Sequence, residues 1–342
     1  MRPTTLILCV TFGLLALAGV WWLPRPSATQ DLRGARGTAK VSRSPGQATE
    51  PGNPNSQAGN RGTGPVQPAV SSPASPIFDP ATAPVSVRAV VDIRVQPFDR
   101  LQKARLLRKD LKHEELNALY AFLQERHLED DGQSGHAYKN ELMEALISQT
   151  VPATDLCEFL GKLYHDQDQN VVIRDYALQH VAALYERLQE PLPWPIAELQ
   201  TQRKTLQGLL WEATTETDSS IAGTALLALN RLSESDNSLD RQRIGQTALT
   251  LAQDTNAGEL ARVTALQVCA RQEVKEALPL LVQTIEKEAD TSLRISAIGA
   301  LGLLGGQAEI EFLQQIGEGD DSRLKPAVTL ALRRVQQRIS RL

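Results

Sequence analysis

The stretch DTSLRISAIGALGLLG, residues Asp290–Gly305, carries the pattern that decides the fold. It opens on Asp290, a residue type favoured before a helix because its side chain accepts hydrogen bonds from the first helical amides. Apolar residues then recur at intervals of three and four, the spacing of an amphipathic helix, at Leu293, Ala297, Leu301 and Leu304. Gly305 is a residue type that commonly follows a helix. The stretch therefore predicts one capped helix.

The same pattern returns at several other places in the chain, as in NVVIRDYALQHVAAL from Asn170 and DSRLKPAVTLALRRV from Asp321. In most copies a polar or capping residue stands four positions before a reference position, and an apolar residue follows three after it. The reference positions are Arg174, Ala222, Arg262, Arg294 and Lys325, with weaker copies at Lys103 and Lys139. Second helical patterns lie between them, so each unit is predicted to be a pair of antiparallel helices. One pair cannot bury its apolar face alone, which requires the units to stack.

The pattern D-x-x-L-R-x-x-A-I-x-A-L-G-x-L-G at Asp290–Gly305 resembles a HEAT repeat of the short bacterial type. The resemblance is best over residues 256–342 and weaker towards the N-terminus. It implies an all-α fold: a right-handed α-solenoid of stacked antiparallel helix pairs, whose curved surface binds other macromolecules, chiefly proteins. In that family the Asp caps a helix and the Arg forms a ladder with acidic residues of the next unit.

Two units match both of these family positions, namely Asp290 with Arg294 and Asp321 with Lys325. Asp218 keeps only the capping position, since Ala222 follows it, and Arg262 keeps only the basic one. Arg174 is preceded by Asn170 instead of Asp. These residues are the structural repeat positions that the resemblance implies.

The N-terminal residues have the features of a targeting segment, which predicts the location of the remainder of the chain. Residues 6–23 carry no charge and would span about 27 Å as a helix, close to the thickness of a bilayer core. Residues 1–23 are either a cleaved signal peptide, with Ala16 and Ala18 at the cleavage site, or a signal anchor, with Trp21 and Trp22 at the interface. The remainder is predicted to be exported, on the periplasmic or cell-surface side, and tethered by residues 6–23 unless they are cleaved.

Residues 24–84 hold eleven of the chain's 19 prolines, among Gly, Ser and Thr, and are predicted to form a disordered linker. Residues 85–342 are predicted to be the HEAT-like helical repeat domain. At its start, apolar residues alternate with polar ones from Val85 to Val95, which predicts a short β-strand over residues 85–95.

The net charge of the chain bears on its partners, and the positions of its cysteines bear on disulfide pairing. Residues 1–94 hold nine of the 36 Lys and Arg and four of the 40 Asp and Glu, so the remainder has 27 against 36, a net −9. An acidic body repels phosphate backbones, and we therefore expect no nucleic-acid partner. Cys157 and Cys269 fall in apolar helical patterns and are predicted to be unpaired core residues.

Two clusters of polar residues invite a chemical interpretation. On a helix over residues 171–188, Arg174 falls inside the apolar arc, while Asp175 and His180 are about 140° apart at 100° per residue. We therefore predict that a neighbouring carboxylate holds Arg174 and that His180 faces solvent. The other cluster, His127–His136, lacks the ligand spacing of a calcium loop or a zinc site. We predict no catalytic, cofactor-binding or metal-binding residue, no cofactor, and no enzymatic activity.

The sequence thus predicts an exported or membrane-tethered helical-repeat scaffold that binds a protein partner of unknown identity through its curved surface. Membrane contact is expected only through the N-terminal segment. Two alternatives remain open at this point. One is a HEAT-like lyase or an auxiliary subunit of a modifying enzyme, and the other is a structural envelope protein that self-associates through residues 85–95.

Overall fold

The computed structural model describes residues 78–125 and 133–341. Fourteen α-helices lie in these two ranges, and they alternate between two sets. The odd-numbered helices are α1 (Val85–Val91), α3 (His113–Gln124), α5 (Leu156–His165), α7 (Ile196–Ala213), α9 (Arg241–Gln253), α11 (Leu278–Lys287) and α13 (Ala308–Glu318). The even-numbered helices are α2 (Pro97–Arg105), α4 (Gln133–Ile147), α6 (Val171–Arg187), α8 (Ile221–Leu232), α10 (Glu259–Arg271), α12 (Thr291–Leu304) and α14 (Lys325–Ile339).

The even helices form one continuous layer. Each of them packs against the even helices before and after it, from α2 through to α14. The odd helices lie on the other side, where α11 packs on α12 and α13 on α14. The all-α stack of helix pairs that the sequence predicted is confirmed in this arrangement.

Helix ends follow the capping residues of the sequence. The Asp290 side chain accepts a hydrogen bond from the Leu293 amide at 2.8 Å, and Asn170 accepts one from Val172 at 2.9 Å. At the other end of α12, the Gly305 amide donates to the Leu301 carbonyl at 2.7 Å. These contacts satisfy backbone groups that have no partner inside the helix.

Small residues allow the even helices to approach closely. A Cβ placed on Gly302 of α12 would lie 2.7 Å from the Cα of Ala331 in α14. A Cβ on Gly223 of α8 would lie 3.1 Å from the Cα of Ala261 in α10. Backbones in such contact leave no room for solvent, so the even layer is a continuous packed surface.

The core is built mainly from Leu, Ala, Ile and Val, as expected for helices packed on helices. Cys157 in α5 and Cys269 in α10 are both buried and unpaired. Burial raises the pKa of the Cys157 thiol to about 11 and that of Cys269 to about 12. Their placement in the core agrees with the prediction.

The predicted strand over residues 85–95 is wrong. Residues 85–91 form α1, and its buried side chains are Val87, Val90 and Val91, the spacing of a helix face. This face packs against α2 and α3, and the tertiary contact overrides the β-preference of a valine-rich segment. The alternative in which the chain self-associates through a strand here loses its basis.

The described contacts begin seven residues before the predicted start of the repeat domain. The Phe78 amide donates to Glu125 Oε1 at 2.8 Å, and its ring meets that of Phe122 edge-on. Ala83 is buried. Phe78 thus packs on α3 and Ala83 is part of the core, although the composition of residues 78–84 resembles that of the preceding linker.

None of the helices in the two described ranges is long and apolar enough to cross a membrane. The predicted signal peptide or anchor at residues 1–23, and the linker as far as residue 77, lie outside the described residues.

Candidate functional site

The contact between Arg174 and Glu216 joins two successive repeat units. Arg174 of α6 donates from Nη1 and Nη2 to the two carboxylate oxygens of Glu216, at 2.8 and 2.6 Å. Its Nε donates to the carbonyl of Tyr164, near the end of α5, at 2.8 Å, and its guanidinium lies over the Tyr164 ring. Arg174 is 5% exposed. A charge buried to this degree requires such a partner, as predicted for this residue.

Two further arginines repeat this geometry. Arg262 of α10 donates to Glu288, which follows α11, and Arg294 of α12 donates to Asp321, which follows α13. The Arg294 Nε also donates to the Ile285 carbonyl at 2.9 Å, as Arg174 does to Tyr164. Each of the three arginines therefore lies on an even helix and binds a carboxylate in the loop that follows the next odd helix.

A lysine occupies the equivalent place in an earlier unit. Lys139 of α4 is fully buried, and its Nζ contacts the Glu125 carbonyl at the end of α3. It also contacts Gln169 Oε1, beyond α5, at 3.5 Å. The repeat copy placed at Lys139 thus has the position of a ladder residue, with an amide in place of the carboxylate.

The ladder is interrupted at Ala222, where no basic residue is present. There the Gly258 amide donates to the Thr217 carbonyl at 2.7 Å, which links the loop before α8 to the loop before α10. The close approach of Gly223 to Ala261 lies at the same level. A backbone hydrogen bond and a tight helix contact therefore take the place of the ion pair.

Three of the predicted repeat positions behave differently. Asp218 does not cap α8, because the Ile221 amide donates to Ser219 Oγ at 3.3 Å and Asp218 is exposed. Lys325 is exposed at the start of α14, the last described helix. Lys103 is also exposed, and the buried base of α2 is Arg100, one turn earlier, whose guanidinium lies over the Tyr138 ring.

His180 is buried, and the prediction that it faces solvent is wrong. It is 3% exposed, and its Nε2 lies 3.0 Å from the side-chain oxygen of Asn140 in α4. Its Nδ1 lies 3.9 Å from Glu144 Oε2. Burial lowers the pKa of His180 to about 4, so the ring is neutral at pH 7. The reason is that α4 covers the side of α6 that a single-helix projection assigns to solvent.

Asp175 lies on the opposite flank of α6, against α8. Its Oδ2 accepts a hydrogen bond from Ser220 Oγ at 3.0 Å, and burial raises the pKa of the Asp175 carboxyl. His180 and Asp175 therefore contact different neighbouring helices, α4 and α8, in keeping with their separation of about 140° on α6.

The described residues offer little for metal or small-molecule chemistry. Between residues 78 and 341, with 126–132 left aside, no group of three or more His, Cys, Asp and Glu side chains could hold a metal ion. The cluster His127–His136 lies largely outside the described residues. An open depression of about 460 Å³ is lined by residues of α11, among them Leu278 and Val282, and by Glu309 of α13.

The accessible side of the even layer is a candidate surface for a binding partner. Counted from the reference position of each unit, residues at −2, +2, +5 and +9 fall within about 60° on a helix. Over α8, α10, α12 and α14 we call these positions the even-helix face. They are Ser220, Thr224, Leu227, Arg231, Leu260, Thr264, Gln267, Arg271, Ser292, Ser296, Gly299, Leu303, Arg323, Ala327, Leu330 and Arg334.

The even-helix face is largely accessible and contains no carboxylate. All of its positions except Ser296 are exposed or half-exposed. Leu260, Leu303 and Leu330 are 52%, 43% and 38% exposed, and they are three of the ten exposed large apolar residues in the described part of the chain. The residues of this face are visible in the sequence, but the periodic apolar pattern identifies the buried positions of each helix and not the exposed ones.

The comparisons with known proteins agree with the fold. Residues 246–333 match the model of the family described as HEAT repeats. This confirms the HEAT-like α-solenoid recognised at Asp290–Gly305. No curated protein matches the chain.

A solved structure of human deoxyhypusine hydroxylase in complex with glycerol is similar to this chain at 18% identity. The similarity covers 74% of this chain and 95% of that one, with a TM-score of 0.30. Our prediction that the chain is not an enzyme is wrong as a conclusion from the fold, because a protein to which the chain is similar is a hydroxylase. The likeness is too weak to assign any activity to this chain.

Proposed function

We propose that this HEAT-repeat chain is an exported or membrane-tethered scaffold that binds a protein partner through the surface of its stacked helices. The claim that the chain is a protein-binding scaffold rests on the repeats themselves, since HEAT repeats are commonly modules for protein interaction. The observation that carries the proposal is the even-helix face, where three adjacent helices, α10, α12 and α14, each present an exposed leucine on a packed backbone.

Three exposed leucines on one face favour protein binding on energetic grounds. Full burial of a leucine side chain stabilises by about 1.5–3 kcal/mol, so covering the exposed part of each gives on the order of 1 kcal/mol. The close contacts at Gly223 and Gly302 hold the helices in place before a partner arrives. A preformed surface loses less conformational entropy on binding than a flexible one.

Export or tethering is supported by the composition of the N-terminal part. Residues 6–23 are uncharged and bulky, and residues 24–84 are rich in Pro, Gly and Ser. Such an arrangement is typical of a domain held at a distance from a membrane. We accordingly propose the periplasmic or cell-surface side as the place where the scaffold acts.

Affinity capture with the full chain tests the binding proposal. The chain, solubilised in mild detergent, is used in parallel with two single variants, Leu303→Asp on the even-helix face and Ile196→Asp at the start of α7. Both substitutions place a charge at an exposed apolar position, since Ile196 is 74% exposed. We expect a protein that is recovered by the parent chain and by Ile196→Asp and is lost with Leu303→Asp. Equal recovery by all three, or no recovered protein, contradicts the proposal.

Export is tested separately by fusing a reporter enzyme that is active only outside the cytoplasm to Leu342. We expect activity with the full chain and loss of activity after deletion of residues 1–23. Activity that is absent from the full-length fusion contradicts export and leaves the binding proposal standing.

A further inference from the structure

We infer that the even-helix face binds an extended, acidic segment of its partner, with the carboxylates held by a row of arginines in the C-terminal halves of the even helices. The inference rests on the proposed function and names the chemistry of the partner. The row consists of the +9 positions of the four units, of which three are arginines, Arg231, Arg271 and Arg334, and one is Leu303.

The charge of this face is opposite to that of the folded body as a whole. Residues 95–342 have a net charge of −9, from 27 basic and 36 acidic residues. The sixteen positions of the even-helix face nevertheless hold four arginines and no Asp or Glu. One of the four, Arg323 in the loop before α14, is paired with Asp321 at 2.8 Å, which leaves the three arginines of the row on the helices. Because the Debye length is about 8 Å at physiological ionic strength, a ligand on this face responds mainly to the charges beside it.

Two arginines of the row are available to a ligand. Neither Arg271 nor Arg334 forms an ion pair with any side chain of the described residues, and Arg271 is exposed. Arg231 forms an exposed ion pair with Glu186 at 2.9 Å. An exposed pair of this kind contributes about 0–1 kcal/mol, so a second carboxylate can compete for Arg231 at low cost.

The nearest acidic residue of the same helices lies at the other end. Glu259 begins α10 and is twelve residues from Arg271, which corresponds to about 18 Å along the helix. Burial, together with proximity to Asp290, raises the pKa of Glu259. Within the four even helices of this face Glu259 is the only carboxylate, and it lies at the opposite end of α10 from Arg271. The exposed Glu234 and Glu273 follow α8 and α10 in the adjoining loops.

The spacing of the row favours an extended segment. Packed helices are about 8–10 Å apart, and the helices that carry the row are direct neighbours. A chain in the polyproline II conformation has three residues per turn and advances about 3.1 Å per residue, so every third side chain faces the stack and meets the next helix. Such a chain has free backbone N–H and C=O groups. The exposed amide of Gln267, one turn before Arg271, can donate to and accept from them.

The row therefore specifies a sequence as well as a charge. Crossing from α8 to α14, a segment would present an acidic side chain to Arg231, another to Arg271, an apolar side chain to Leu303 and an acidic one to Arg334. Two residues lie between successive contact positions, and their side chains point away from the row. The arginine fork accepts a carboxylate in bidentate geometry.

Peptide binding to the full chain, measured by fluorescence anisotropy, tests the inference. The probe is a ten-residue peptide with Glu at its first, fourth and tenth positions, Leu at its seventh, and Ser or Thr elsewhere, together with its reversed sequence. One comparison peptide has the same composition with its Glu residues adjacent, and another has Lys in place of Glu. We expect one of the two spaced acidic peptides to bind best, and its affinity to fall as salt is raised.

Charge reversal locates the binding site. The double variant Arg271→Glu/Arg334→Glu should weaken binding of the spaced acidic peptide about tenfold or more, since it replaces two attractive contacts by repulsive ones. Lys204→Glu, an exposed residue of α7, makes the same type of change on the odd layer and should alter the affinity less than about twofold. Circular dichroism checks that the variants keep their helix content.

Each other outcome overturns the inference. Preference for the Lys peptide or for adjacent Glu residues contradicts the chemistry or the spacing, and equal effects of the double variant and Lys204→Glu contradict the location. If no peptide binds, the acidic segment is excluded. In all of these cases the capture experiment still decides independently whether the chain binds a protein partner, because it makes no assumption about charge.

Discussion

Arg174 and Glu216 form a two-point ion pair that connects α6 to the loop after α7, with both nitrogen–oxygen distances at or below 2.8 Å. One-point ion pairs occupy the equivalent places at Arg262 and Arg294, with Glu288 and Asp321. Successive units of the stack are therefore joined by charge as well as by apolar packing, and the pairs fix the register of one unit on the next.

Removing Arg174 should destabilise the stack. In Arg174→Ala the Glu216 carboxylate loses its partner and the Tyr164 carbonyl loses a donor, which should lower the free energy of unfolding by about 2–4 kcal/mol. The measurement is urea denaturation followed by circular dichroism. Arg94→Ala is the control, because Arg94 is largely exposed in its pair with Asp92. Equal urea midpoints for the two variants would mean that the pair between Arg174 and Glu216 does not contribute to stability.

Protonation of His180 should weaken the fold at mildly acidic pH. Its pKa is about 4 in the folded chain, against about 6.5 in an unfolded one. The unfolded chain therefore binds more protons between these values, and stability present above pH 6.5 is lost as the pH falls towards 4. The loss amounts to about 3 kcal/mol, and His180→Gln should remove this part of the pH dependence.

The measurement is the urea midpoint of the parent chain and of His180→Gln between pH 4 and pH 7. His165→Gln is the matched control, since His165 is half-exposed beside Glu212. A pH profile that is identical in the parent chain and His180→Gln would show that His180 titrates normally in the folded state.

The contact between α12 and α14 should tolerate no side chain at Gly302. In Gly302→Ala the new methyl group would lie 2.7 Å from the Ala331 Cα, and we expect a loss of about 1–3 kcal/mol. Gly208→Ala in α7 is the opposite case, since nothing lies within 4 Å of the new Cβ. That variant should gain about 0.5–1 kcal/mol from the higher helix propensity of alanine. Thermal unfolding separates the two, and a stabilised Gly302→Ala would refute the close approach.

The buried thiols should be unreactive in the folded chain. In a Cys9→Ser background, Cys157 and Cys269 should react with a thiol-specific reagent at pH 8 only after urea unfolds the chain. Both are buried, and their raised pKa values leave little thiolate at that pH. Rapid labelling of either residue without denaturant would place it outside the core.

The repeat was predictable because its signal is periodic and redundant. Asp290 with Arg294 recurs as Asp321 with Lys325, and each copy supports the other even where one position is changed. The inward orientation of Arg174 followed from its place inside the apolar arc. These are local features of one helix, and a sequence reports them directly.

His180 and the first helix were not predictable in the same way. A projection of α6 alone allows one buried arc, whereas α4 and α8 cover its two flanks and bury His180 as well. In residues 85–95 the alternating valines also satisfy a helix in which Val87, Val90 and Val91 face inward. Seven residues are too few for periodicity to separate the two, and the packing of α1 on α3 decides between them.

The even-helix face was likewise not predictable from a single helix. Its residues are weakly patterned, and their common orientation becomes visible only when four helices are aligned by the ladder positions. Asp218 likewise occupied the right place for a cap, yet Ser219 provides the oxygen, because the helix begins at Ile221. The expected residue type at a repeat position therefore does not ensure that the expected contact is formed.

The most direct test of the account is site-specific photo-crosslinking in cells that produce the full chain. A photoreactive residue is placed at Gln267 on the even-helix face or at Lys204 on the odd layer, both of which are exposed. We predict a discrete adduct with another protein from position 267 and none from position 204. An adduct from position 204 alone, or from neither position, would contradict the claim that this chain is a scaffold that binds its partner through the even helices.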